Sequence, residues 1–158
     1  MSDLYLPLKF LHILGATALF GTGAGIAFFM WMAHRTRDSV VIAATARTVV
    51  IADALFTATA VIVQPVTGYG LMLALGLPVT ESWIVVSLAL YVLVGLCWLP
   101  VIWIQLRMWD LAAEAARDER PLPPRYFRLF RIWFRLGWPA FIGVLAIVAL
   151  MIWKPALW

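Results

Sequence analysis

The sequence predicts an all-α protein, a four-helix bundle embedded in a membrane. Of its 158 residues, 65% are hydrophobic and 13% are charged, whereas soluble domains are about 45–50% apolar and about 25% charged. Four runs contain no Asp, Glu, Lys or Arg: 13–33, 54–80, 82–106 and 136–153. Each is near or above the roughly 20 residues that an α-helix needs to cross the hydrocarbon core. The composition therefore excludes a water-soluble globule.

Each of these runs is predicted to be a helix, because lipid offers no water to unpaired backbone groups. Their continuous apolar character disfavours the alternating strands of a barrel. We place the helices at about 6–33, 48–75, 82–112 and 130–153, in a single transmembrane domain over residues 1–158. The first helix is not expected to be a signal peptide, since Asp3 stands where a basic region would be.

The basic residues predict the orientation. Ten of the twelve lie around the first and third loops, and only Lys9 and Lys154 lie at the opposite side. By the positive-inside rule both termini are periplasmic, in a multi-pass protein of the bacterial inner membrane. Anionic lipid headgroups account for the basic residues, so membrane lipids are expected partners and nucleic acid is not.

The only long polar stretch, 107–135, is interpreted as a topological anchor. Residues 107–117 continue the third helix in good helix formers, and the PLPPR segment at 121–125 then breaks it. The following YFRLFRIWFR is typical of an amphipathic interfacial helix, with aromatic residues at lipid depth and arginines outward.

Polar residues inside the membrane are costly and are therefore functional candidates. His12 shares a helical face with Gly15, Ala16 and Gly23. Small residues of this kind admit either a neighbouring helix or a flat cofactor. For Gly21 and Gly25, which form a GxxxG pair, the pattern favours close helix packing.

The second helix carries a polar stripe, formed by Asp53, Thr57, Ala60, Gln64 and Thr67. Such a line is predicted to face the bundle interior. It is either a seam of interhelical hydrogen bonds or the lining of a cofactor, quinone-like ligand or proton path. Pro65 is expected to kink the helix and to free a backbone carbonyl one turn earlier, and the third helix adds Tyr91.

The second histidine, His34, follows His12 by 22 residues, about 33 Å along a continuous helix. The two cannot share one metal in that case. Beside Arg35 at the membrane edge, His34 is interpreted as a solvated interfacial residue. The sequence carries no metal or catalytic motif of soluble proteins.

The run LKFLHILGATALFGTGAGIAFFMWMAH resembles the first helix of HemJ-type protoporphyrinogen oxidases and of CopD-like membrane proteins. Lys9 and His12 match a Lys-x-x-His pattern, His34 roughly matches a further histidine, and Lys154-Pro155 matches the end of the last helix. A closer resemblance is to a bacterial integral-membrane family of unknown function that carries QP-x-TG in its second helix, here Gln64, Pro65, Thr67 and Gly68.

The resemblance implies that His12 is an axial ligand of haem b, because the corresponding HemJ-type histidine has that role. Together with the polar and small residues above, it gives an expected cofactor site of His12, Lys9, Gly15, Gln64, Thr67 and Tyr91, with His12 as the metal ligand and Met72 as a conceivable weak second ligand. Ser87 stands where HemJ-type enzymes need a lysine for activity.

The predicted function is haem b binding with an electron-transfer or oxidoreductase role, of which porphyrin oxidation is the enzymatic version. Haem or a porphyrin is then the expected small-molecule partner. The alternative is a cofactor-free protein, either a transporter handling copper as CopD-like proteins do or an accessory subunit of a larger membrane complex. Assembly as a homo-oligomer is compatible with both.

Overall fold

The computed structural model describes residues 2–158, with side chains from Leu4 onwards, and it is all-α. Its four helices are α1 (Ser2–Thr36), α2 (Ser39–Leu75), α3 (Ser82–Arg117) and α4 (Pro124–Trp153). All four are long and apolar enough to cross a membrane. No strand occurs over residues 2–158. The predicted fold class is confirmed.

The helices extend beyond the predicted limits, most of all at the start of α2, which begins at Ser39 rather than at about 48. The Asp38 carboxylate caps this end by accepting hydrogen bonds from the backbone N–H groups of Val40 and Val41. In α4, Pro124 occupies the first turn, where its missing N–H is harmless. Uncharged runs mark only the part in hydrocarbon, whereas capped helices continue through the headgroup region.

The two ends of the bundle differ in packing. We call the end with the α1–α2 and α3–α4 connections the arginine-rich end, and the end with the chain termini and the 76–81 loop the terminal end. At the arginine-rich end all four helices contribute to one hydrophobic core. Its most deeply buried side chains are Met30, Ile42, Met108 and Tyr126.

Towards the terminal end, the residues Ala58–Leu75 of α2 pack against α1, and α3 packs against α4. In the described chain this half of α2 makes no close backbone approach to α3. The bundle is therefore split into two helix pairs on this side.

A π-helical turn, Asp53–Thr57, interrupts α2 at the boundary between the two halves. Along α2, successive interior residues are spaced alternately four and three positions apart. The exception is at Val49, Asp53 and Thr57, which are separated by two consecutive spacings of four. A turn that holds one extra residue keeps both halves of such a pattern facing inward. Helical periodicity predicted an uninterrupted α-helix here, so this turn was not predicted.

The segment predicted to be an amphipathic, interfacial lead-in to the fourth helix is the first part of α4 itself. Tyr126, Phe130 and Trp133 are buried in the core, while Arg128 and Arg131 are exposed. The arginines do point outward as expected, but the aromatic face packs on protein rather than lipid because the other three helices extend to the same level.

His34 is half-buried, which corrects its interpretation as a solvated residue. Its ring stacks on Phe130 with 3.6 Å between centroids, and its Nδ1 lies 3.3 Å from the Tyr126 hydroxyl oxygen. Because α1 is continuous from Ser2 to Thr36, His34 and His12 are at opposite ends of one helix, as predicted.

The prediction of close helix packing at Gly21 and Gly25 is wrong within this chain. A Cβ built on Gly21 meets no described atom within 4 Å, and one built on Gly25 meets only the Phe29 ring of the same helix. The two glycines line a groove of about 610 Å³ between α1 and the first half of α2. The π-helical turn follows directly after this groove along α2.

Candidate functional site

His12 and Thr67 join α1 to α2 near the terminal end. The His12 Nδ1 lies 2.9 Å from the Thr67 hydroxyl oxygen. That hydroxyl donates its own proton to the backbone carbonyls of Val63, at 2.7 Å, and Gln64, at 3.2 Å. With its proton used there, the hydroxyl acts as an acceptor towards the imidazole.

The tautomer of His12 is assigned from this hydrogen-bond network. If Thr67 accepts, Nδ1 carries the ring proton, and in the neutral imidazole Nε2 then keeps its lone pair. A metal-binding histidine ordinarily donates its other N–H to an oxygen in this way. His12 is therefore a hydrogen-bonded interhelical residue that also presents one free ligand atom.

Two glycines allow this close contact. A Cβ on Gly68 would lie 3.2 Å from His12 Cε1, so the ring rests directly against the α2 backbone. A Cβ on Gly15 would lie 2.5 Å from Gln64 Nε2, which donates a 2.7 Å hydrogen bond to the His12 carbonyl oxygen. The structure thus brings together His12, Gly15, Gln64 and Thr67.

Lys9 and Tyr91 are not part of this cluster. Lys9 is exposed, and its ammonium lies over the Tyr5 ring at 5.6 Å. The Tyr91 hydroxyl donates to the carbonyl oxygen of Val61, which has lost its helical donor because residue 65 is proline. The freed carbonyl was predicted, and Tyr91 is the group that satisfies it across the gap between α2 and α3.

A cavity of about 420 Å³ lies at the centre of the bundle, between the two helix pairs and just beyond the hydrophobic core. All four helices line it, and α2 does so with Asp53, Thr57 and Gln64 of its polar stripe and with the neighbouring Val61. His12 is not among the lining residues. The stripe faces the interior, as predicted, and Leu55 and Ile62 on the opposite face are exposed.

Asp53 is the centre of a polar network at one end of this cavity. The Trp98 indole N–H lies 3.3 and 3.2 Å from its two carboxylate oxygens. In the Gln105 amide orientation that pairs every donor with an acceptor, Nε2 donates to Asp53 at 3.2 Å and Oε1 accepts from Trp133 Nε1 at 3.3 Å.

Helical periodicity predicted the interior position of Asp53 but not its partners. The available signal was a carboxylate beside a long apolar run, which must find neutral donors if it has no cation. The donors to Asp53 are Trp98 and Gln105 of α3, and Trp133 of α4 donates to Gln105. The rotation of these helices about their axes is set by packing.

The described residues contain no group of three or more His, Cys, Asp or Glu side chains able to hold a metal ion. A copper site built from methionines finds no support at Met30 and Met32, because Met30 is in the hydrophobic core and Met32 is exposed. The free Nε2 of His12 is a single ligand, suited to a metal whose other ligands come from a cofactor.

These features define a class: a multi-pass, all-helical integral membrane protein with its polar groups inside the bundle. Within that class, the sequence profile of the family described as "Predicted integral membrane protein (DUF2269)" matches residues 6–155, and the chain belongs to this family. Neither a curated protein nor a solved structure matches the chain.

Proposed function

We propose that this protein binds b-type haem through His12 and takes part in electron transfer. The observation that carries the proposal is the bond from His12 Nδ1 to Thr67, which leaves Nε2 unprotonated and free. A neutral imidazole with its second nitrogen held in this way is a common axial ligand of haem iron. The resemblance to HemJ-type oxidases at Lys9 and His12 supports the same assignment.

The chemistry of the residues fits this group. His12 would supply the axial nitrogen, Thr67 would hold the ring, and Gln64 would fix the α1 backbone at His12. The exposed Lys9 ammonium, about one turn from His12 towards the membrane edge, is suited to a propionate. When bound, haem supplies one-electron transfer. Ser87 donates to the Trp83 carbonyl oxygen and offers no basic group, so the proposal does not include porphyrin oxidation.

The test is the optical spectrum of protein purified in detergent after expression with ample haem. Wild type is expected to show a Soret band, and His12→Ala is expected to lose it while reaching the membrane at normal level. His34→Ala, on the same helix, is the matched control and should keep most of the band. Colourless wild-type protein, or a full unshifted spectrum in His12→Ala, would contradict the proposal.

Thr67 gives a second, finer test. Thr67→Val keeps the shape but removes the acceptor, so we expect haem affinity to fall about 10–100-fold. Thr67→Ser restores the hydroxyl and should recover most of that affinity. Equal haem affinity in wild type and Thr67→Val would show that the hydrogen bond to His12 does not serve a metal ligand.

A second candidate, a cofactor-free transport protein or accessory subunit, is favoured by the position of the cavity. The cavity reaches Gln64 and Ala16 but not His12, and His12 already has a structural partner. The spectrum separates the two candidates, because only the first gives coloured protein.

A further inference from the structure

The central cavity has one charged residue in its lining, Asp53. Its side chain is among the most buried polar groups of the protein, with 6% of the residue exposed. The ion pairs of the described chain all involve Asp110 or Asp118 at the surface, so Asp53 has no cationic partner. A buried carboxyl group without one either holds a proton or is stabilised when another positive charge approaches it.

The neutral donors around Asp53 only partly satisfy it. Trp98 and Gln105 each provide one N–H, whereas a carboxylate offers about four acceptor positions. Thr57 also lines the cavity and is 7% exposed; its buried hydroxyl lies near the Asp53 carboxylate but has no hydrogen-bond partner of normal geometry. Hydrogen-bonding positions on Asp53 and Thr57 therefore remain without partners at this end of an otherwise apolar cavity.

Aromatic rings form much of the remaining wall. Trp98 lies beside the carboxylate, Trp133 contacts Gln105 behind it, and Phe134, Trp138 and Phe141 continue along α4. The negative faces of aromatic rings attract organic cations, and indole does so most strongly. One carboxylate in an aromatic wall is the combination that recognises a substituted ammonium or phosphonium group.

Three glycines, one each on α1, α3 and α4, maintain the volume of the cavity. A Cβ built on Gly23, Gly95 or Gly137 meets no described atom within 4 Å, although all three line the cavity. By contrast, a Cβ on Gly143 of α4 would lie 2.6 Å from Val94. The volume of about 420 Å³ is within the range of small-molecule sites.

From these observations we propose that the cavity binds a lipophilic organic cation, with the cationic centre at Asp53 and the apolar body among the α4 aromatic residues. This site is separate from the proposed haem ligand, because Asp53 lies 14 residues before Thr67, about 21 Å along α2. It does not depend on whether haem is bound.

The experiment measures equilibrium binding of radiolabelled tetraphenylphosphonium to wild-type protein in phosphatidylcholine nanodiscs, with empty nanodiscs as background. Asp53→Asn is expected to weaken binding by about tenfold or more, because the charge is lost in a site of low dielectric. Asp110→Asn, which removes an exposed carboxylate of α3, should bind as wild type. Neutral triphenylphosphine oxide should bind equally to wild type and Asp53→Asn.

A second variant keeps the proposal testable if Asp53→Asn does not fold. Gly137→Leu should place a side chain in the cavity, where a Cβ on Gly137 meets no described atom within 4 Å. It should abolish saturable binding, while Gly21→Leu, in the α1–α2 groove, should not. Wild-type binding no greater than that of empty nanodiscs would overturn the proposal. So would unchanged cation binding in Asp53→Asn or in Gly137→Leu.

Discussion

The arginine-rich end and the terminal end of the bundle consist of the same four helices but are held together differently. The first has a dry core in which Met108 and Tyr126 are completely buried. The second is held by individual polar contacts, His12 to Thr67 and Tyr91 to Val61, around a cavity. The packed core and the cavity thus lie at different levels along the helix axes, and the network at Asp53 lies between them.

The largest expected effect concerns the side of the membrane on which each end of the bundle lies, and it is all or none. A reporter fused after Trp158 that is active only in the periplasm should be active, because the positive-inside rule predicts that the arginine-rich end lies in the cytoplasm. The same reporter inserted between Arg37 and Asp38 should be inactive. The opposite pattern would invert the assignment of the two ends.

Truncation of a core side chain should show that stability resides at the arginine-rich end. Met108→Ala should lower the free energy of unfolding by about 2–5 kcal/mol, since it removes packing contacts and leaves a cavity. Leu96→Ala, on the lipid-facing side of the same helix, should change it much less. Thermal unfolding in detergent measures both, and similar losses would abolish the distinction between the ends.

Two glycines of α4 differ in the space around them, since Gly143 lies against Val94 whereas Gly137 faces open space. Gly143→Ala should destabilise the protein by about 1–3 kcal/mol, because its Cβ would lie 2.6 Å from Val94 Cγ2. Gly137→Ala should be neutral or stabilise it slightly, as it faces open space. Adding Val94→Ala to Gly143→Ala should recover part of the loss. If Val94→Ala recovers no stability, the strain caused by Gly143→Ala does not come from the contact with Val94.

The last expected effect, no larger than that of Gly143→Ala, concerns the hydrogen bond from Tyr91 to Val61 across the gap at the terminal end. Tyr91→Phe should lower the free energy of unfolding by about 1–3 kcal/mol, because the Val61 carbonyl loses its only side-chain donor. In a Pro65→Ala background, residue 65 regains an N–H for that carbonyl, so Tyr91→Phe should cost less. A double-mutant cycle by chemical unfolding measures the coupling, and additive effects would contradict this account.

The fold class follows from the sequence because apolar length alone requires transmembrane helices. The interior position of the Asp53–Thr67 stripe follows equally from helical periodicity. The partners of each polar residue do not follow, since they depend on how neighbouring helices rotate about their axes. Thus Gln64 and Thr67 contact His12, whereas Tyr91 serves a backbone carbonyl instead. The packing of Tyr126 and Phe130 on the bundle escaped prediction because an amphipathic pattern suits a protein surface and a lipid interface equally.

The π-helical turn at Asp53–Thr57 has a consequence for how the gene can change. It stores one residue more than an α-helical turn would, so a single-codon deletion there could be absorbed without breaking α2. Such a deletion would convert the turn into an ordinary α-helical one and leave Ser39–Ala52 and Ala58–Leu75 facing inward as before. Thr67 would stay against His12, and Val49 would stay in the core. The same deletion in a regular part of α2 would instead rotate every residue beyond it by about 100°. The turn is therefore a place where α2 can lose a residue and keep both ends of the bundle intact.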